Sequence, residues 1–168
     1  ANGGDTATVS VNAASANGAI GLTGTNVTAG ALTSGSTVTT SGTTISLANV
    51  TSTGNQSHTG ATSTTLNGTY LTNNGDFTLT GPAILAGTTT VTAGTGDVSF
   101  TGTTLSNGTA RDLTVTGNDI SFVGAIGDGT AGQNVAALMV TGTANGGDTA
   151  TVSVNAASAN GAIGLTGT

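Results

Sequence analysis

Few side chains in this 168-residue chain could do chemistry, and the acids come first. All seven are Asp, and Glu, Lys, Cys and Trp are absent. Asp76, Asp97 and Asp119 stand 21 and 22 residues apart, and each opens a similar hexapeptide. On a fold with a turn of that length they would form a column with a step of about 4.8 Å. Two chemistries suit such a column. Paired carboxylates facing one cleft cleave glycosides, and stacked oxygen ligands hold a hard cation such as Ca²⁺. Against the first, no Arg, Lys or aromatic platform accompanies them. Against the second, Gly94-Thr95-Gly96-Asp97 is only a fragment of the Gly-rich nonapeptide of calcium-binding β-rolls. The same column also follows from corner geometry, because Asp tolerates left-handed backbone and bonds to it locally. The ordinary reading is solvated corner residues, with Asp76, Asp97 and Asp119 as calcium candidates beside it.

Other groups offer less. His58 is the only His, and the repeat places it at the same rung as Leu79, Phe100 and Phe122. That neighbourhood fits a core histidine, not a general base. Arg111 and Asp112 are adjacent, so in a strand they would point to opposite faces; both read as solvent or loop residues. Thr-x-Thr pairs recur at Thr37/Thr39, Thr51/Thr53, Thr78/Thr80, Thr90/Thr92, Thr101/Thr103, Thr114/Thr116 and Thr141/Thr143. A flat ladder of such pairs would suit ice, but Thr also fills outward strand positions generally. The pairs fall on different strands of the turn rather than in one column. Asn-x-Ser/Thr sequons begin at Asn26, Asn49, Asn55, Asn67 and Asn107, as chance provides in a Thr-rich chain. No catalytic or cofactor-binding set emerges, and the chain is expected not to be an enzyme.

Composition narrows the classes further. One Arg against seven Asp gives a net charge of −6, and charged residues are 5% of the chain, where about 25% is usual. So little positive charge cannot neutralise a phosphate backbone, which argues against nucleic-acid binding. No segment approaches the roughly 20 apolar residues of a membrane helix, and membrane insertion is not expected. Leu, Ile, Val and Phe make up 33 residues, near the roughly 20% below which chains tend to disorder. They alternate with Thr and Ser, however, as in Thr6-Ala7-Thr8-Val9-Ser10-Val11 and Leu113-Thr114-Val115-Thr116. That period of two belongs to strands with one face buried.

Two repeats organise these strands. Residues 1–25 and 144–168 are identical, an offset of 143. Nothing resembles a tag or a designed linker, so 1–143 reads as one unit of a tandem array and 144–168 as the start of the next. Inside the unit, Asp76-Phe77-Thr78-Leu79-Thr80-Gly81 aligns with Asp97-Val98-Ser99-Phe100-Thr101-Gly102 and Asp119-Ile120-Ser121-Phe122-Val123-Gly124. A weaker copy is Asn55-Gln56-Ser57-His58-Thr59-Gly60, and Asp148 opens the next turn. A strand-like stretch such as Tyr70-Leu71-Thr72 or Leu138-Met139-Val140 precedes each copy. A unit of about 20 residues cannot bury its own apolar face, so copies must stack. The expectation is an all-β, parallel β-helix (β-solenoid) of about 21 residues per turn, six to seven turns per unit. Leu79, Phe100 and Phe122 should stack inside, and Gly60, Gly81, Gly102 and Gly124 should share a corner. The extra residues after Asp119 are expected to bulge at Gly127–Asn134, and the stretch from Asp5 to Asn55 holds two long turns or three short ones. Thr is expected outside and small apolar residues inside.

These hexapeptides and their spacing resemble the repeats of filamentous-haemagglutinin-like and autotransporter-type β-strand-repeat adhesins, over roughly residues 35–143. The resemblance implies a right-handed β-helix exported to the cell surface of a Gram-negative bacterium and displayed as a fibre. A structural extracellular filament or adhesin stalk is therefore expected. Its partners would be its own neighbouring units, and host or neighbouring-cell glycans. The alternative is a glycan- or ice-binding β-helix module without catalysis.

Overall fold

Across the described residues, 6–130 and 132–168, a computed structural model contains fifteen strands and no helix. In chain order these are β1 Thr8–Ala16, β2 Ile20–Thr23, β3 Asn26–Ser34, β4 Val38–Leu47, β5 Val50–Ser52, β6 Gln56–Thr72, β7 Phe77–Thr80, β8 Ala83–Thr92, β9 Val98–Phe100, β10 Thr104–Ser106, β11 Leu113–Gly117, β12 Ile120–Phe122, β13 Leu138–Gly142, β14 Val152–Val154 and β15 Ile163–Thr166. Every pairing between them is parallel. Parallel neighbours need a crossover between them, and here the crossover is the rest of the coil.

Each coil has three faces. On the first, Val9, Val27, Ile45, Thr64, Ala83, Thr104, Ile126 and Ala157 stack in turn. On the second, Ala14, Leu32, Val50, Tyr70, Val91, Val115, Val140 and Leu165 do so. On the third the column is Ile20, Val38, Gln56, Phe77, Val98, Ile120 and Val152, six coils from first to last. At the ordinary strand spacing those six coils span about 29 Å. The result is a β-solenoid, as the 21-residue period predicts.

The core forms because the inward residues of successive coils meet like with like. His58, Leu79, Phe100 and Phe122 occupy one rung column and are all fully buried. Phe77, Phe100 and Phe122 make a continuous aromatic spine, with centroids 5.5 and 4.7 Å apart. Tyr70 crosses the core from the second face, and its hydroxyl donates to the Leu47 carbonyl on the first at 2.9 Å. At the corner after the third face, Gly60, Gly81, Gly102 and Gly124 stack as expected. A Cβ on Gly102 would collide with the Gly81 backbone, and Gly81 itself has φ +93°. Glycine is required here because backbone from adjacent coils passes too closely for any side chain.

One open choice is decided and three expectations are revised. The third-face column advances by 18, 18, 21, 21, 22 and 32 residues, so the early coils are three short ones. The long coil swells less at 127–134 than between β13 and β14. There Gly142 and Val152 are ten residues apart, where Gly117 and Ile120 one coil earlier are three apart. Asp148 does not continue the Asp column; Thr151 does, its N–H donating to Asp119 Oδ1 at 2.7 Å. Thr is not only outside: Thr40, Thr64, Thr72, Thr89 and Thr104 are buried. Asp5 lies outside the described residues.

Truncating the spine tests this core. Phe100→Ala is expected to lower unfolding stability by about 3–5 kcal/mol. Urea denaturation should show the midpoint falling with the slope unchanged.

Candidate functional site

The Asp column lies at the corner that enters the third face, and the structure gives it a backbone role. Asp76 N–H donates to Asn55 Oδ1 at 3.0 Å, and Asp97 N–H to Asp76 Oδ1 at 3.0 Å. Asp119 N–H donates to Asp97 Oδ1 at 3.1 Å, and Thr151 N–H completes the run on Asp119. Each carboxylate thus receives the amide of the coil stacked on it. That amide belongs to a turn residue and lies outside the strand ladder, so the side chain supplies its partner. Asn does the same at the start of the run, which explains why Asn55 stands where later coils carry Asp.

Asp76, Asp97 and Asp119 are therefore brought together, as the spacing predicts. Among the described residues no three His, Cys, Asp or Glu side chains gather into a metal-holding group. Beside the column runs a shallow open groove of about 360 Å³, lined by Asp97, Val98, Ser99, Asp119, Ile120, Ser121, Thr151 and Ser153. Its polar lining is hydroxyl and carboxylate. No aromatic or basic side chain lines it, so a sugar ring would find hydrogen-bond partners there but no stacking platform.

The Thr pairs are dispersed. Thr90/Thr92 and Thr114/Thr116 do stack on the second face. The coil below offers Leu71 and the coil above Met139 in these outward columns, 40% and 46% exposed. Thr78/Thr80 lies on the third face instead. Arg111 and Asp112 lie in the loop between β10 and β11, where Arg111 N–H donates to Ser106 Oγ at 3.1 Å. Thr92, Thr116, Thr141 and Thr166 continue one outward column over four rungs, but Leu71 ends it below and Met139 ends the column beside it, so paired Thr extends over two rungs only.

His58 sits in the core, with no exposed surface. Its Nδ1 meets Thr40 Oγ1 at 2.9 Å, and its Nε2 has no partner. Phe77 and Tyr70 flank the ring at centroid distances of 5.5 and 6.2 Å. Burial alone pulls its pKa down to about 4, because the charged form would lose its hydration without gaining a carboxylate. A base needs contact with a substrate, and this ring has none. Sequence reasoning places it correctly but misses two neighbours that complete the polar inset, Thr40 and Gln56. Gln56 Nε2 donates to the Leu71 carbonyl at 2.9 Å. A signal exists in the letters: both fall at inward positions of the period-two pattern.

Two consequences can be measured. Asp97→Asn keeps the oxygen that accepts from Asp119 N–H and removes one of three like charges, so thermal stability should hold or rise. Asp97→Ala leaves that amide without its acceptor and should cost about 1 kcal/mol. Equal losses in both variants would mean that the charge, and hence a bound cation, matters. For His58, the unfolded chain takes its proton near 6.5 while the folded chain waits until about 4. The unfolded state thus binds more protons in that window, and stability falls as pH drops from 6.5 to 4. Since each tenfold change in proton affinity is worth about 1.4 kcal/mol, the loss is on the order of 3 kcal/mol. His58→Leu should flatten that fall in denaturation curves taken across the same pH range.

Comparisons with protein-family models, curated proteins and solved structures return no match for this chain.

Proposed function

We propose that this chain is part of an extracellular structural filament or adhesin stalk, in which tandem 143-residue units join into one continuous solenoid. The observation that carries this reading is the behaviour of the ladder where the second copy begins. The second copy's Val152–Val154 pairs with Ile120–Phe122 in the same register as every earlier rung of that face, so the strand stack runs through the repeat boundary without a break. A solenoid extended in this way gains length without a new core design, since each coil needs only its two neighbours. The role is mechanical: the unit spaces whatever the array carries away from its anchor. Low charge suits it further, because long surfaces with little mutual repulsion can lie side by side. The burial of the only His, away from any groove, supports a role without catalysis.

A second reading rests on the groove beside the Asp column, whose hydroxyl and carboxylate lining suits a glycan of a host or neighbouring cell. The ice-binding form of that reading has less support, given how the Thr pairs are scattered.

Electron microscopy of purified proteins with one, two and three tandem units separates these. Stalk units should give single rods whose length rises by about 32 Å per added unit. Beads on a flexible string, with glycan binding or thermal hysteresis by the single unit, would contradict the stalk and favour the module.

A further inference from the structure

The two copies of the 25-residue segment do not occupy the same faces. At the front of the chain, Val9 and Val11 lie on the first face against Val27 and Ala29. Ala14 lies on the second face against Leu32, and Ile20 on the third against Val38. At the far end, the duplicate residues have all moved. Val152 lies on the third face against Ile120, Ala157 on the first against Ile126, and Ile163 on the second against Leu138. Each segment is displaced by one face in the same sense, while its inward and outward residues keep their roles. Following the rungs along the chain, Val9 to Ala157 is seven coils on the first face, and Val152 comes one face earlier. The 143-residue unit therefore advances the solenoid by six and two-thirds coils.

The two ends also show complementary halves of one junction. At the front, the segment has a coil stacked on its later edge, and Ile20 is 8% exposed. At the far end the same residue, now Ile163, has a coil only beneath it and is 47% exposed; Leu165 beside it is 50% exposed. The missing cover for these residues has a known shape, because the front of the chain displays it: the residues of β3 and β4. Both halves use the same inward side chains in the same register, so one segment can receive a lower and an upper coil at once.

We infer that in a tandem array, a second copy of residues 26–47 seats on the free edge of 144–168 and continues the solenoid one-third of a turn out of phase with the unit before it. The inference rests on the stalk reading and adds the rotation to it. Three units then complete twenty whole coils, on the order of 95 Å, before any residue returns to its original side. Exposed features such as Met139 on the second face would wind about the axis, so that a stalk shows the same set of surfaces on each of its three sides.

The test uses a three-unit array of the full repeat with Met139→Cys in every unit, each thiol carrying one small gold particle. The natural chain has no Cys, so the label is unique within a unit. Cryo-electron tomography reads where the three particles sit. Particles on three different sides, stepping about 32 Å along the axis, are expected. Particles in a single file along one side of an intact rod would overturn the rotation and leave the stalk standing. Separate beads would overturn the stalk and the rotation with it. Val123→Cys, on the neighbouring face and 59% exposed, repeats the reading should the first variant fail to fold.

Discussion

Everything in this molecule depends on one constraint: a coil cannot satisfy its own backbone. Its strands lie on three different faces and never pair with one another within a turn, so their amides and carbonyls reach only the coils above and below. Gln56 N–H donates to the Asp76 carbonyl, Phe77 N–H to Asp97 and Val98 N–H to Asp119, each link crossing to the next coil. A parallel ladder of this kind fixes register, because a one-residue slip would turn every inward side chain out. Register in turn forces equivalent residues to stack. Phe lies on Phe, Gly on Gly and Asp on Asp because the ladder places them there, and each stack must then be tolerable on its own chemistry.

The stacks show how that tolerance is reached. Phenyl rings gain from contact, and Phe100 and Phe122 pack nearly parallel. Glycines allow backbone to approach where a Cβ would collide. Carboxylates repel, and here each offers an oxygen to the amide of the following coil, so the corner gains a hydrogen bond for every charge it carries. The polar inset around His58 is the costly case. His58 Nε2, Gln56 Oε1 and the Thr64 hydroxyl are buried without partners, and an unpaired buried polar atom is destabilising. The aromatic rings and the more apolar coils that follow offset it, although Thr89, Thr104 and Ser106 are buried there too. Tyr70 adds a bond across the core, and burial pushes its phenol above the usual range.

How much of this is legible in the letters follows from the same constraint. The coils beginning at Asp76, Asp97 and Asp119 can be read because ring, acid and glycine recur together, and each of those stacks is chemically distinctive. The first coils cannot be counted, since Val, Thr and Ala serve equally well at their inward positions and leave no marker. The first face escapes notice for another reason. β6 runs from Gln56 to Thr72 through two corners without proline, turning at Gly60 and at Gly68, whose φ is +113°, and single glycines mark little in a chain with 29 of them. Asp148 misleads by its letter: the corner needs an amide aimed at Asp119, and Thr151 provides one. The displacement of the two identical segments is beyond sequence reasoning, since identical letters suggest identical places. Only the succession of faces along the chain reveals it.

The placement of the second copy carries the functional account, because it makes the repeat boundary continuous. Disulfide trapping in the 168-residue chain reads it directly. Ser121 and Ser153 are partners across the ladder, and adjacent parallel strands hold such Cα atoms at about 4.8 Å, within disulfide reach. Under mild oxidation, Ser121→Cys with Ser153→Cys is expected to close in nearly every molecule. If that pair stays reduced while Ala125→Cys and Thr151→Cys close instead, the second copy lies on the same face as the first, contrary to the architecture described here.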